Sequence, residues 1–178
     1  MTASEAAVIY DLDGTLVDLD VDWTLVTREV ADRLGGRGVD TAGADLWTLL
    51  ERAEAAGIRD VAIEVVGAHE RVGARTADRL PLADELPLDV PVGVCSLNEE
   101  AAVRTALERH DLLTAVDTVV GRDTLAAQKP DPEPLLAIVE RFDVEPARTL
   151  FVGDSPKDER TADRAGTAFQ YVNERLES

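Results

Sequence analysis

The sequence predicts an α/β fold, a doubly wound parallel sheet with a small α-helical cap inserted after the first strand. Three observations carry that prediction. Ala6–Tyr10 is a short apolar run of strand length, the pattern of a strand buried on both faces. From Val92 to Val172, apolar strand-like segments alternate with helical ones, as in a parallel sheet covered by crossover helices. Between these stretches, residues 18–80 read as helical and carry no convincing strand. The core is therefore assigned to residues 1–17 and 82–178, and the cap to residues 18–81.

Taken in order, the first strand runs into Asp11-Leu12-Asp13-Gly14-Thr15-Leu16 and then into the acidic Val17–Asp22. The alternation in that acidic segment suggests a strand, but an N-cap leading into a helix over Trp23–Leu34 fits better, with Trp23, Val26, Val30 and Leu34 at helical spacing. A second helix spans Ala44–Ala56, carries Leu46, Leu49, Leu50 and Ala53 on one face, and stops at Gly57. A third spans Asp60–Leu80, with Gly67 and Gly73 as points of interruption. Pro81, Pro87 and Pro91 mark a connector. Strands follow at Val92–Ser96, Asp117–Val120, Thr149–Val152 and Ala168–Val172, with helices at Glu99–His110, Pro132–Phe142 and Asp158–Ala165.

Of the 178 residues, 45% are hydrophobic, enough for a packed core. No apolar run approaches the ~18–20 residues of a membrane span, and the N-terminus lacks a basic region followed by an apolar one; a cytoplasmic location is expected. Cys95 stands alone, which excludes an intrachain disulfide and a cysteine-based zinc site. Acidic residues outnumber basic ones 36 to 18, for a net charge of −18. Such a chain repels nucleic acid and anionic membranes. All but two of the basic residues are arginine, the exceptions being Lys129 and Lys157. The acidic, lysine-poor composition resembles that of salt-adapted archaeal proteins, and a halophilic archaeon is the expected source.

Four motifs fall at the ends of the apolar strands. Asp11 and Asp13 follow the first strand at i and i+2, and such a pair is reasonable when a divalent cation lies between the carboxylates. Val92-Gly-Val-Cys-Ser96 ends in a hydroxyl before a helix; Ser96 either caps that helix or holds a phosphate oxygen beside free backbone N–H groups. Lys129-Pro-Asp-Pro-Glu-Pro fixes one of the two lysines on a stiff approach to a helix. Gly153-Asp154-Ser155-Pro156-Lys157-Asp158 follows another apolar strand, and its carboxylates suit Mg²⁺.

Asp-x-Asp-Gly-Thr, the strand ending in Ser96, Lys-Pro-x-Pro and Gly-Asp-Ser-x-x-Asp-x-x-x-Ala-x-x-Ala-Gly resemble, in this order, the four motifs of the haloacid dehalogenase superfamily. The last is similar to its phosphoglycolate-phosphatase-like form with a helical cap. One departure is Leu97 between Ser96 and Asn98, where many relatives place Asn directly after the hydroxyl. The resemblance implies a Rossmann-like core and a Mg²⁺-dependent phosphomonoester hydrolase. It implies that Asp11 is the nucleophile that forms an aspartyl-phosphate, with Asp13 as general acid and base. Lys129, Ser96 and Leu97 are implied for the phosphoryl oxygens, and Asp11, Asp13, Asp154 and Asp158 for the metal.

The expected partner is a small phosphorylated metabolite, with neither nucleic acid nor membrane involved. A dehalogenase has no need of the acid at Asp13. A sugar-phosphate mutase shares the constellation and stays open as an alternative, as does a non-catalytic binding protein, although the latter would be expected to lose one of Asp11, Asp13, Lys129 or Asp154. Trp23 either packs the cap on the core or flanks the pocket. Asp18, Asp20 and Asp22 are expected near the entrance, His69 and His110 in structural or exposed places, and Lys157 beside Asp154 or Asp158.

Overall fold

The structure is a computed structural model, and it describes residues 5–177. Five parallel strands form the main sheet: β1 (Ala7–Tyr10), β4 (Val92–Cys95), β5 (Thr118–Val120), β6 (Thr149–Gly153) and β7 (Ala168–Tyr171), in the order β5-β4-β1-β6-β7. Every residue of β1, β4 and β6 is buried, which is why these strands read as continuous apolar runs.

Alternate side chains divide the core in two. Val8, Tyr10, Val94, Leu150 and Val152 face α4 (Glu100–Arg109) through Ala102, Val103, Ala106 and Leu107. Ile9, Cys95, Val120 and Phe151 face α5 (Glu133–Arg141) and α6 (Pro156–Ala165). Helices on both faces make the sheet doubly wound.

A third apolar cluster belongs to α1 (Trp23–Gly35), α2 (Leu46–Ala55) and α3 (Arg59–Gly73) alone. Val26, Val30 and Leu34 of α1 meet Leu49, Leu50 and Ala53 of α2 and Ala62, Val65 and Val66 of α3 there. Asp22 and Asp45 cap α1 and α2 by accepting N–H groups of the first turns.

Residues 18–80 are not wholly helical. Two short strands, β2 (Val17–Asp18) and β3 (Asp78–Arg79), pair antiparallel where the chain leaves the sheet and returns to it. The third helix ends at Gly73, short of Leu80. The chain crosses itself there: a Cβ on Gly73 would lie 2.5 Å from the Asp20 carbonyl oxygen. The helix expected to open at Asp158 opens at Pro156, because Ser155 is the residue that caps it. A short C-terminal helix, α7 (Val172–Leu176), follows β7.

The register sets the site. Tyr10 pairs with Val94 on one side and with Val152 on the other, so Asp11, Ser96 and Gly153-Asp154 leave the sheet side by side. β1 lies where the strand order reverses, and open α/β sheets bind ligands at the carboxyl ends of strands flanking such a point.

Candidate active site

Asp11 follows the last residue of β1, with its N–H donating to the Val152 carbonyl at 2.9 Å. Its Oδ1 accepts from Lys129 Nζ at 2.9 Å. The same ammonium donates to Asp158 Oδ1 at 2.6 Å. All three side chains are almost fully covered. Burial pushes the Asp11 carboxyl upward and Asp158 adds to this, against the pull of Lys129. Burial alone would lower Lys129, but Asp11 and Asp158 outweigh it and hold the ammonium above its ordinary value.

Asp158 is fixed from its other side. Its Oδ2 accepts from Ser155 Oγ at 2.6 Å and from the Ser155 N–H at 3.2 Å, while Ser155 Oγ accepts from the Asp158 N–H. This is a capping box, so the first turn of α6 holds the carboxylate. A Cβ on Gly153 would sit 2.6 Å from Asp158 Cβ, so glycine is what admits this close approach.

Asp13 is held by the Leu19 N–H, which donates to its Oδ1 at 2.8 Å. Burial pushes its carboxyl up to about 6, and Asp18, Asp154 and Glu70 add to the rise. Asp154 lies at the exposed edge of the group, and its carboxyl is raised by partial burial and by Asp158. Asp11, Asp154 and Asp158 each offer an oxygen within 4.8 Å of the others. Asp13 is not part of that trio.

The fit of a metal can be judged from the donors. All three are hard carboxylate oxygens, the chemistry that Mg²⁺ takes. Gly14, at φ +81°, cradles Asp154: a Cβ there would overlap the Asp154 carboxylate. Three crowded carboxylates against one ammonium leave negative charge for a divalent cation to offset, and the residues fit the group.

Ser96 lies buried in the turn after β4. Its hydroxyl donates to Asn98 Oδ1 at 2.9 Å and accepts from the Asn98 N–H at 3.1 Å. Among the described residues the Leu97 N–H has no partner, and Leu97 lies on the wall of a cavity of about 460 Å³ that also holds Asp11, Asp13, Lys129 and Asp158.

Several wall residues carry no motif. Trp47 of α2 takes Lys157 Nζ over its ring, 3.8 Å from the centroid, so Lys157 is placed against the indole. Glu70 of α3 meets Arg122 in a buried fork, with Arg122 Nη1 and Nη2 each donating to one carboxylate oxygen at 2.8 Å. Glu70 also accepts from Asn98 Nδ2 and from the Glu99 N–H, each at 3.0 Å, which ties α3 to the turn that holds Ser96. The one local signal is that Glu70 falls on the buried face of α3, beside Val66 and Gly73.

Trp23 lines the cavity. Asp20 accepts from the Thr76 hydroxyl and Asp22 caps α1, and neither lies on the cavity wall. His69 meets Glu29, and His110 meets the Ala77 carbonyl.

Comparison with known proteins agrees with this geometry. A family model described as haloacid dehalogenase-like hydrolase matches residues 84–172. The phosphoglycolate phosphatase of Rhodospirillum rubrum is 32% identical, covering 90% of this chain and 76% of that protein. The N-acetylmuramic acid 6-phosphate phosphatase of Pseudomonas aeruginosa is 27% identical, covering 93% and 81%. A solved structure of a HAD-superfamily hydrolase from Geobacter sulfurreducens superimposes with a TM-score of 0.67 at 26% identity, covering 94% of this chain and 88% of that one.

Proposed function

This chain belongs to the haloacid dehalogenase-like hydrolases, and on that footing we propose that it is a Mg²⁺-dependent phosphomonoesterase working through an aspartyl-phosphate on Asp11. The observation that carries the reading is the buried pairing of Asp11 with Lys129 at the mouth of β1. A carboxylate oriented by an ammonium at the floor of a cavity is suited to attack phosphorus, because the same ammonium neutralises the incoming phosphoryl oxygens.

Asp11, Asp154 and Asp158 would hold the metal, which when bound supplies charge neutralisation between phosphoryl group and nucleophile. The chain's own residues do the rest. Asp11 attacks phosphorus and the P–O bond to the alcohol breaks. Asp13, raised by burial to about 6, hands a proton to the leaving alkoxide. The Leu19 N–H occupies one oxygen of Asp13, which leaves the other to carry that proton. Asp13 then takes a proton from water as it attacks the acyl phosphate, releasing inorganic phosphate and restoring the Asp11 carboxylate. Lys129 and the unpartnered N–H of Leu97 take phosphoryl oxygens. Ser96 acts on the same group once its hydroxyl exchanges Asn98 for phosphate.

Residues 18–81 form the cap domain in this reading, and residues 1–17 with 82–178 the core. The separate apolar cluster of α1, α2 and α3 supports that division. No helix among the described residues is long and apolar enough to cross a membrane, and we place the protein in the cytoplasm. The acidic surface suits strong salt.

The test is phosphate release from a panel of small phosphate esters in molar KCl, with and without Mg²⁺, beside Asp11→Asn. Metal-dependent release abolished by the substitution is the expected result. Release that survives Asp11→Asn would sink the scheme, and isomerisation of a sugar phosphate without release would move the reading to a mutase.

A further inference from the structure

The cavity has two ends of different character. Its phosphoryl end is built from Asp11, Asp13, Lys129 and Asp158. Its other end lies against α1, α2 and α3, where Leu50, Ile63 and Val66 form an apolar wall beside Trp23 and Trp47. The two indoles remain 38% and 56% exposed. At about 460 Å³ the cavity falls in the range that holds a ring-sized ligand of substantial bulk. A phosphoryl group on a two-carbon acid would leave much of the apolar wall uncovered.

The charges along the rest of the cavity wall are already matched. Arg122 and Glu70 form a bidentate pair, 8% and 1% exposed, so the guanidinium is neutralised where the dielectric is low. Arg122 Nη1 also donates to the Leu97 carbonyl at 2.8 Å, and Arg122 Nε, unpartnered among the described residues, is buried away from the cavity. A guanidinium paired with Glu70 and tied to the Leu97 carbonyl has little charge to offer a second anionic group. A second carboxylate would have to share the cation with Glu70.

Arg59, the other arginine on this wall, lies 3.4 Å from Glu54 Oε2, and its Nη2 donates to Gln128 Oε1 at 3.5 Å. Asp45 adds a third carboxylate, which accepts from the Thr48 N–H at 2.8 Å. Arg59 and Arg122 are thus paired with Glu54 and Glu70, Asp45 adds negative charge, and Lys157, also at this end, lies over the Trp47 ring. The chain's net charge of −18 adds long-range repulsion against a substrate with a second anionic group.

We infer that the substrate is a phosphate ester of an uncharged, ring-sized alcohol, a sugar or aryl ring with a face for Trp23 and the apolar wall and an oxygen for Gln128. An alcohol portion carrying its own carboxylate or second phosphate is turned away. The inference rests on the phosphatase reading and narrows it.

The test compares kcat/KM for glucose 6-phosphate and phenyl phosphate with that for 2-phosphoglycolate and fructose 1,6-bisphosphate, at saturating Mg²⁺, in wild type and in Asp11→Asn. The better uncharged-alcohol ester is expected to exceed both charged ones by about 10-fold or more, and whether sugar or phenyl leads tells the two ring chemistries apart. Glu70→Gln and the solvent-facing Glu54→Gln each uncover positive charge, and each should shift the ratio of 2-phosphoglycolate to glucose 6-phosphate upward by about 3-fold. A purely structural role would lower both esters together. Equal or faster Asp11-dependent turnover of the charged esters, or a ratio unmoved in both variants, overturns the inference and leaves the phosphatase reading standing. Absence of Asp11-dependent release from every ester overturns both.

Discussion

Lys129 Nζ lies 2.9 Å from Asp11 Oδ1, although 118 residues separate them in the chain. The contact joins the first strand to the approach of α5, and it puts the chain's most buried ammonium at the floor of the cavity.

Replacing that ammonium separates chemistry from packing. Lys129→Met keeps the length of the side chain and removes the charge opposite the phosphoryl group. Loss of one such electrostatic contact costs about 10²–10³ in kcat. The same change leaves Asp11 and Asp158 side by side without their shared cation, so the melting temperature should fall as well. Phosphate release and thermal melts on the one variant measure both; near-wild-type kcat would remove Lys129 from the mechanism.

Metal and pH are linked at this cluster. Burial raises Asp11 to about 7 and Asp13 to about 6, and raises Asp154 as well. A carboxyl whose folded pKa lies above its unfolded value contributes stability below about 4 that is lost as pH rises through the folded value. The metal-free protein should therefore lose stability between about pH 4 and 7 from these groups. Mg²⁺ binds the ionised form, so its gain in melting temperature should be larger at pH 7.5 than at pH 5. Asp154→Ala, at the exposed edge, should abolish most of that gain; an equal gain at both pH values would contradict the assignment.

How much of this was legible depends on whether a signal is local. Asp11 and Asp13 announce themselves because an apolar strand runs straight into two carboxylates and a glycine. Lys129 stands out because the chain has only one other lysine. The alternation of strand and helix beyond Val92 fixes the sheet, since parallel strands need crossovers. The pairing of β2 with β3 was not legible: each strand has two residues, and only the return of the chain from α3 brings them together. Glu70 and Arg122 were missed for the same reason. They lie 52 residues apart, on elements with no shared motif, in a chain where acidic residues are too common for one to attract notice. The sequence places Lys157 beside Asp154 and Asp158, three residues and one residue away, while its neighbour in the fold, Trp47, comes from α2.

The Glu70–Arg122 pair makes its own prediction. Breaking a buried pair by removing one partner costs about 3–5 kcal/mol, because the other charge is left without compensation. Arg122→Met and Glu70→Leu should each be strongly destabilising, while the double variant should be less destabilised than the two effects combined. Urea denaturation of the four proteins completes the cycle. Simple additivity would mean that the pair is not coupled.

Alkaline stability follows from Cys95 and Tyr10 as well as from Lys129. Burial pushes the Cys95 thiol up to about 12 from an ordinary 9.0. Burial, followed by its hydrogen bond to Glu85, lifts the Tyr10 hydroxyl far above its usual 10. Lys129 is raised too, by Asp11 and Asp158 against the effect of burial. In each case the folded chain keeps a proton that the unfolded chain releases, so the unfolded state binds fewer protons above pH 9 and stability falls as pH rises. The contribution is complete below about pH 9 and disappears toward pH 12, with Cys95 responsible for the first part of the decline. Urea midpoints should fall between pH 9 and 11, and Cys95→Ala should flatten the slope between pH 9 and 10 whatever its effect on stability at pH 7. The native thiol should also resist alkylation at pH 9 and react at once in urea. A midpoint that holds steady to pH 11, or a native thiol that alkylates as fast as the unfolded one, would show that Cys95 and Tyr10 are not sealed in the core as β4 and β1 place them.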